Sequence, residues 1–307
     1  MACCHPVSNH IALLLVVVVA CRGKGGDRTD SAASLPPVFS LGPSSNTNWD
    51  VNAGPVMLVS VGSSADSAAI VLPEATDSTI EAIQGVTPPV THLVFDLFGR
   101  GGKVEPPTTI SPFPSPTETK QDCDAWPAAK LQSPRRGWSV GFVAGNVRAI
   151  KLDSIEGLPS TDSAALAASL AQSAATLPVA SDPTFRGLPF RVRSAYTFRL
   201  DSVDVVIADV VRMLNEEANP RLEHLLLIGE RPKGTKSKYS IGYFSRVAGA
   251  EETMQATEIL AVVEIGPSKR PAVVVNVESD EGGKLGLLER IAPGQWRPTW
   301  KSAYTDC

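Results

Sequence analysis

Short apolar segments of strand length follow one another through the second half of the chain, from residue 188 to residue 307. The first of them alternates with a period of two, and its apolar members share one face: Val192, Tyr196, Phe198 and Leu200. This alternation is typical of a strand with one buried face. Turn residues separate further segments at 225–230, 239–246, 257–265, 272–278, 284–290 and 296–304. The pattern predicts consecutive antiparallel strands.

Residues 203–214 fit two structures. Val203, Ile207 and Val210 have the spacing of a helical face, but β-branched residues, which favour strands, dominate the segment. We predict a strand here, because it would extend the neighbouring meander.

The sequence predicts a helix within residues 159–178. Residues 164–177 are alanine-rich, and Leu166, Leu170 and Leu177 fall on one face before Pro178. Ser160 or Thr161 is the expected N-cap residue.

Residues 49–158 form a β-rich first half, with a predicted hairpin of strands 138–144 and 147–152. Residues 104–135 contain seven prolines and are predicted to form a long loop. The fold class is therefore mainly β, an antiparallel meander with one α-helix. A weak echo of residues 91–95 in 223–227, and of 138–142 in 239–243, would fit two related sheets. Chance similarity between apolar strands is the favoured alternative.

An apolar run of ten residues, 11–20, precedes Cys21 near the amino terminus. As a helix this run would rise about 15 Å, too little to cross a hydrocarbon core of about 30 Å. Its length suits the apolar region of a secretory signal peptide. A buried strand that happens to precede a cysteine is the alternative.

The sequence Val18-Val19-Ala20-Cys21 resembles the lipobox of bacterial lipoproteins, with an aliphatic residue, a tolerated second residue, a small residue and a cysteine. The resemblance covers residues 1–21 only. It implies a signal peptide over residues 1–20, cleavage before Cys21 and lipidation of that cysteine. Arg22 stands where aspartate would signal inner-membrane retention, so the same resemblance favours the outer membrane, where the organism has one.

Residues 22–48 are rich in Gly, Ser, Pro, Asp and Thr, which predicts a flexible tether. Together with the lipidated cysteine, the tether would span residues 21–48.

The lipobox resemblance also bears on the other cysteines. Cys3 and Cys4 would leave with the signal peptide, so only Cys123 and Cys307 would remain unmodified. Two cysteines in an oxidising compartment favour a disulfide. Unpaired thiols or a bond to another protein are the alternatives. Metal binding is less favoured, because neither cysteine has a neighbour at ligand spacing.

The charge pattern gives no indication of a nucleic-acid partner. The chain has 28 basic and 32 acidic residues, and no block of basic residues appears. Residues 276–282 only faintly resemble a calcium loop, because Glu281 and Leu287 stand where such a loop needs glycine and glutamate. No metal, cofactor or catalytic residue is assigned.

Three groups of residues offer weak functional signals. The histidines of the mature chain, His92 and His224, each start an apolar strand, where a polar strand-edge residue is the simpler interpretation. An acidic cluster around residues 219–220 suits a solvated hairpin tip better than an acid–base pair; its members are Glu216, Glu217, Glu223 and Glu230. Trp296, Trp300 and Tyr304 would share one strand face, as a core stripe or as an exposed stacking platform.

The sequence thus favours a lipid-anchored protein of the bacterial cell envelope, attached to the membrane through Cys21. Its expected role is non-catalytic binding or scaffolding, with an unknown envelope protein or polymer as partner. The alternative is an envelope or extracellular hydrolase that uses His92 or His224 with a nearby carboxylate. A third interpretation is a structural spacer.

Overall fold

The structure is a computed structural model that describes residues 55–74, 90, 93–112, 126–178, 182–215, 220–250, 254–279 and 282–305. This part of the chain is mainly β, and its sheets are antiparallel, as predicted.

The first six strands close into a barrel. They are β1 (Met57–Ser60), β2 (Ser67–Val71), β3 (Val94–Gly99), β4 (Gly102–Pro112), β5 (Ala128–Leu131) and β6 (Val140–Val143). Their order around the barrel is β1-β2-β5-β4-β3-β6. A cluster of apolar side chains from these strands forms one core, which includes Leu58, Ile70, Phe95, Leu97, Ile110 and Leu131.

The remaining strands form two five-stranded sheets. The helix-side sheet has the order β12-β11-β10-β9-β8, and the central sheet has the order β16-β15-β14-β13-β7. The helix-side strands are β8 (Asp153–Ser154), β9 (Arg191–Arg199), β10 (Val203–Leu214), β11 (Arg221–Pro232) and β12 (Ser240–Ala250). The central strands are β7 (Val147–Ile150), β13 (Ala256–Ile265), β14 (Arg270–Ser279), β15 (Gly282–Ala292) and β16 (Gln295–Lys301).

The central sheet lies between the barrel and the helix-side sheet. On one face, Val274 and Leu287 pack with the barrel residue Phe142. On the other face, Val273 and Leu288 pack with residues of the helix-side sheet. Successive residues of a strand point to opposite faces, so burial of both faces explains the continuous apolar run in β14.

The helix α1 (Ser160–Thr176) covers the other face of the helix-side sheet, where Leu170 and Ala174 pack against that sheet. The predicted side-chain cap is wrong: Pro159 occupies the N-cap position, and Ser160 is already helical. The amides of Asp162 and Ser163 instead donate to the Pro159 carbonyl, each at 2.9 Å. None of the helices in the described residues is long and apolar enough to cross a membrane.

The prediction of a strand over residues 203–214 is confirmed by β10. Its apolar residues also fit a helical spacing because both faces of β10 are covered, so that apolar side chains occur at successive positions. Val205 and Ile207 pack toward the central sheet, whereas Val206 and Ala208 pack toward α1.

The hairpin predicted at residues 138–152 is wrong. Strand β6 pairs with β1 and β3 in the barrel, whereas β7 pairs with β13 in the central sheet. The turn at Gly145 therefore carries the chain from one layer to the next instead of closing a two-stranded unit. Likewise β8, also from the predicted first half, pairs with β9 of the second half.

The loop predicted over residues 104–135 is partly wrong, because β5 and most of β4 lie within its bounds. Proline cannot donate to a strand ladder and is usually found at bulges. In β4 the residues Pro106 and Pro107 lie in such an irregularity, between the partners of Phe95 and Leu97. Proline content therefore marked a break in the pairing, not the absence of a strand. Residues 113–125 lie outside the described residues.

The helix-side sheet and the central sheet have the same arrangement of strands. Each contains four consecutive strands joined as a meander, with one strand from the first half added at an edge. The described parts of the echoed segments lie on β3 and β6, which pair in the barrel, and on β11 and β12, which pair in the helix-side sheet. Whether the two pairs are related stays a prediction.

Candidate functional site

Several predicted site residues lie outside the described residues. They are Cys21, proposed for lipidation, the proposed disulfide pair Cys123 and Cys307, and His92. Lipidation, the disulfide and any role of His92 stay predictions.

The second histidine, His224, lies in β11 with only 2% of its surface exposed. Its Nε2 atom is 2.7 Å from Oδ1 of Asp209 in β10. His224 pairs with Val211, and Asp209 pairs with Leu226, so the two side chains are diagonal neighbours on the face that packs toward the central sheet. In a nucleophilic triad the carboxylate accepts a hydrogen bond from the histidine. Here, despite their short separation, neither Nε2 of His224 nor Oδ1 of Asp209 has a hydrogen-bond partner among the described residues. In the described chain, no serine, threonine or cysteine is hydrogen-bonded to His224 to complete it.

The acidic cluster is not a solvated hairpin tip at the two positions that the structure describes. Glu223 is 0% exposed and Glu230 is 6% exposed, both in β11. Because seven positions separate them, they point to opposite faces of the strand and cannot act together as acid and base. Glu216 and Glu217 lie outside the described residues.

Glu230 connects the two sheets. Arg290 of β15 donates two hydrogen bonds of 2.7 Å, one to each carboxylate oxygen. Trp296 Nε1 donates at 2.7 Å and the Gly294 amide at 3.0 Å. Burial raises the pKa of Glu230, but these hydrogen bonds outweigh it and hold the pKa below its ordinary value of 4.5. The carboxylate is thus an ionised structural contact between the layers.

Glu223 joins three strands on the opposite face. It accepts hydrogen bonds from Arg212 of β10 and, at 2.9 Å, from Arg246 of β12. The guanidinium of Arg212 also lies over the ring of Phe190, 4.6 Å from its centroid. One buried carboxylate is thus shared by two arginines of the neighbouring strands, which indicates a structural role.

The three aromatic residues near the carboxyl terminus do not share one face. An irregularity in the pairing of β15 with β16 falls at Thr299. An extra residue in a strand reverses the alternation beyond it. Trp296 therefore packs between the sheets, edge-on to Phe198, whereas Trp300 packs toward the barrel. Tyr304 lies beyond β16. The exposed stacking platform is thereby excluded for Trp296 and Trp300.

The calcium-like segment is only partly described. Asn276 and Glu278 are in β14, and Asp280 lies outside the described residues. Within the described ranges, no group of three or more His, Cys, Asp or Glu residues is placed to hold a metal ion.

An open cleft lies beside α1. It has two lobes of about 560 Å³ and 490 Å³, which share the lining residues Leu158, Leu166, Arg231 and Tyr239. One lobe extends along β8 and β9, and the other along the connection between β11 and β12. Ligand sites of proteins commonly have volumes of about 300–1,000 Å³. The lining contains neither histidine nor cysteine.

At the junction of the lobes, the guanidinium of Arg231 lies over the ring of Tyr239, 4.4 Å from its centroid. Its Nε atom is 3.6 Å from Oδ2 of Asp204. Asp204 also accepts a hydrogen bond from the Gly234 amide at 3.2 Å. Burial raises the pKa of Tyr239, so its phenol stays protonated at neutral pH. We refer to this place as the cleft junction.

This cleft was not predicted from the sequence. The end of β11 and the connection to β12 contain a signal that could have indicated it, because four basic residues fall within eight positions: Arg231, Lys233, Lys236 and Lys238. Neutral residues separate these four, so they do not form a continuous basic block in the sequence. The contributions of β8, β9 and α1 could not be foreseen, since these elements are distant in sequence.

Comparison of the chain with protein-family models, with curated proteins and with solved structures found no match.

Proposed function

We propose that the chain is a lipid-anchored protein of the bacterial cell envelope whose folded part is a non-catalytic binding or scaffolding module. The anchor would be acyl chains on Cys21, at the end of the lipobox-like segment, with residues 22–48 as the tether. Two or more acyl chains suffice for stable attachment, since each buried methylene contributes about 0.8 kcal/mol. An outer-membrane location is favoured where the organism has such a membrane.

The observation that supports binding over catalysis is the separation of the open cleft from the histidine. The cleft is accessible and contains charged and apolar side chains, whereas His224 is buried between two sheets. Catalysis by His224 would require substrate to reach that buried position. Binding in the cleft requires no rearrangement of the core.

The anchor is tested by Cys21→Ser. We expect this variant to remain uncleaved and to lose acylation, and both are visible as a change in mass. In cells that express it, acyl-chain labelling should disappear. Cys4→Ser is the matched control, because Cys4 would leave with the signal peptide and its loss should change nothing. If Cys21→Ser gave the same mature mass and the same membrane association as the wild type, the lipid anchor would be wrong.

The alternative hydrolase is favoured by one observation, the 2.7 Å approach of His224 to Asp209. The double variant His92→Ala, His224→Gln tests it, since glutamine keeps a polar group of similar size at the buried site. If the module is non-catalytic, the folded variant should restore the phenotype of a deletion strain as well as the wild type does. Loss of complementation, with an unchanged thermal midpoint and circular dichroism spectrum, would favour the hydrolase instead.

A further inference from the structure

We infer that the cleft beside α1 binds an extended ligand that carries carboxylate or phosphate groups, and that Arg231 at the cleft junction is the main contact for these anionic groups. The inference rests on the proposed binding function and names the chemistry of its ligand.

The lining of the cleft has a net positive charge. Five basic side chains and three acidic ones line the two lobes, although the whole chain has a net charge of −4. The basic residues are Lys151, Arg199, Arg231, Lys236 and Lys238, and the acidic ones are Asp153, Asp162 and Asp204. The cleft is thus a local reversal of the overall charge, which favours an anion.

Two of the three acidic residues of the cleft are paired with basic residues of the same cleft. Asp153 lies 3.3 Å from Lys151, and Asp204 lies 3.8 Å from Arg199 and 3.6 Å from Arg231. The third, Asp162, lies in the first turn of α1 and lines the second lobe.

Two lysines, in contrast, have no acidic partner within 4.0 Å among the described residues. Lys236 and Lys238 both lie on the β11–β12 connection and are exposed. The Nζ atom of Lys238 donates to the neutral Oε1 of Gln172 at 2.9 Å. These two lysines outnumber Asp162, the one acidic residue that lines the second lobe, so this lobe has an excess of positive charge that is available to a ligand.

The guanidinium of Arg231 is held in one orientation. Stacking on the buried ring of Tyr239 holds the planar guanidinium in place, and 26% of the arginine side chain remains exposed. A fixed guanidinium presents paired N–H groups that match carboxylate and phosphate oxygens. Because both lobes share this residue, a ligand that fills both would pass over it.

Apolar side chains surround the cleft junction. Leu158 is 37% exposed and Leu166 is partly buried, and both line the two lobes. An extended ligand with a ring or aliphatic face could cover them while its anionic groups meet the basic residues. This combination fits a chain of acidic or phosphorylated units better than a small free ion.

The test is a calorimetric titration of the full-length protein with three probes: trigalacturonate, tripolyphosphate and the neutral trisaccharide maltotriose. We expect at least one anionic probe to bind, maltotriose not to bind, and the affinity to fall as ionic strength rises. Tighter binding of trigalacturonate would indicate a carboxylate ligand, and tighter binding of tripolyphosphate a phosphate ligand. Absence of binding by both anionic probes would overturn the inference.

Two sets of variants locate the binding. Arg231→Gln should weaken binding by about tenfold or more, as expected for loss of a charge-assisted hydrogen bond. The double variant Lys236→Gln, Lys238→Gln should also weaken it, and both lysines are exposed, so folding should be unaffected. Arg148→Gln is the matched control, because Arg148 is an exposed arginine on β7 outside the cleft.

Unchanged affinity in both cleft variants would place any binding elsewhere and overturn the assignment. This result is distinguishable from failure of the proposed function, because the Cys21→Ser experiment reports on the anchor independently of any ligand.

Discussion

Replacement of Glu230 with alanine is expected to lower the free energy of unfolding by about 3–5 kcal/mol, the usual cost of removing one partner of a buried ion pair. The carboxylate accepts four hydrogen bonds from the central sheet, two of them from Arg290. Its removal leaves that guanidinium and the Trp296 indole N–H without their acceptor between the sheets. Urea denaturation, followed by tryptophan fluorescence, measures the loss.

The control for Glu230→Ala is Glu264→Ala. Glu264 also receives two hydrogen bonds from one arginine, Arg148, at 2.7 and 2.8 Å, but 74% of that arginine side chain is exposed. The Glu264 side chain is only 13% exposed, but its removal leaves a guanidinium that water can solvate, so the control should lose much less stability than Glu230→Ala. If both variants lost the same amount, burial between the sheets would not be the cause.

A pH series gives a second readout of the same contact. The folded protein holds the pKa of Glu230 below its ordinary value of 4.5, so folding favours the ionised carboxylate. The resulting stabilisation is present above about pH 4.5 and is lost as the pH falls through the folded pKa. Glu230→Gln cannot ionise, so its stability should depend less steeply on pH in this acidic range than that of the wild type. Equal slopes would contradict the assigned contact.

Replacement of Glu223 with alanine should also cost about 3–5 kcal/mol, because it leaves two arginines without their shared counter-charge. The side chains of Arg212 and Arg246 are only 8% and 13% exposed. Glu223→Gln keeps the volume but replaces one acceptor oxygen with a donor that faces guanidinium donors, so it should recover little of the loss. Urea denaturation measures both variants.

The matched control for Glu223 is Glu258→Ala. Glu258 pairs with Arg100, and their side chains are 52% and 42% exposed. We expect almost no change in its midpoint of unfolding. A large loss in the control, or none in Glu223→Ala, would mean that the buried charge group does not hold β10, β11 and β12 together.

The strand content was predictable because alternation and β-branched residues are local properties. The segment 203–214 shows this, since β10 has the predicted bounds. The face of the sheet to which each side chain points was less predictable, because a single extra residue in a strand reverses the alternation beyond it. Such a residue occurs at Arg193, so Val192 packs toward α1 while Tyr196 and Leu200 pack toward the central sheet.

The barrel and the buried charges could not be predicted, because they depend on contacts between distant residues. Glu230 and Arg290 are separated by 60 positions, and nothing near either residue indicates the other. The same holds for the cleft, whose lining comes from β8, β9, α1 and the β11–β12 connection. Of the candidate residues, His224 was recognised, but its burial beside Asp209 was not.

The position of the central sheet has a consequence for biogenesis. Four of its five strands, β13 to β16, are made after both of the layers that they separate. A protein chain is synthesised from its amino terminus. One apolar face of the barrel and one of the helix-side sheet therefore stay exposed to water until residues 256–301 have been synthesised. We therefore expect the nascent chain to be prone to aggregation until the last strands have been made. Chains that end before β13 would be substrates for proteolysis and not smaller stable proteins.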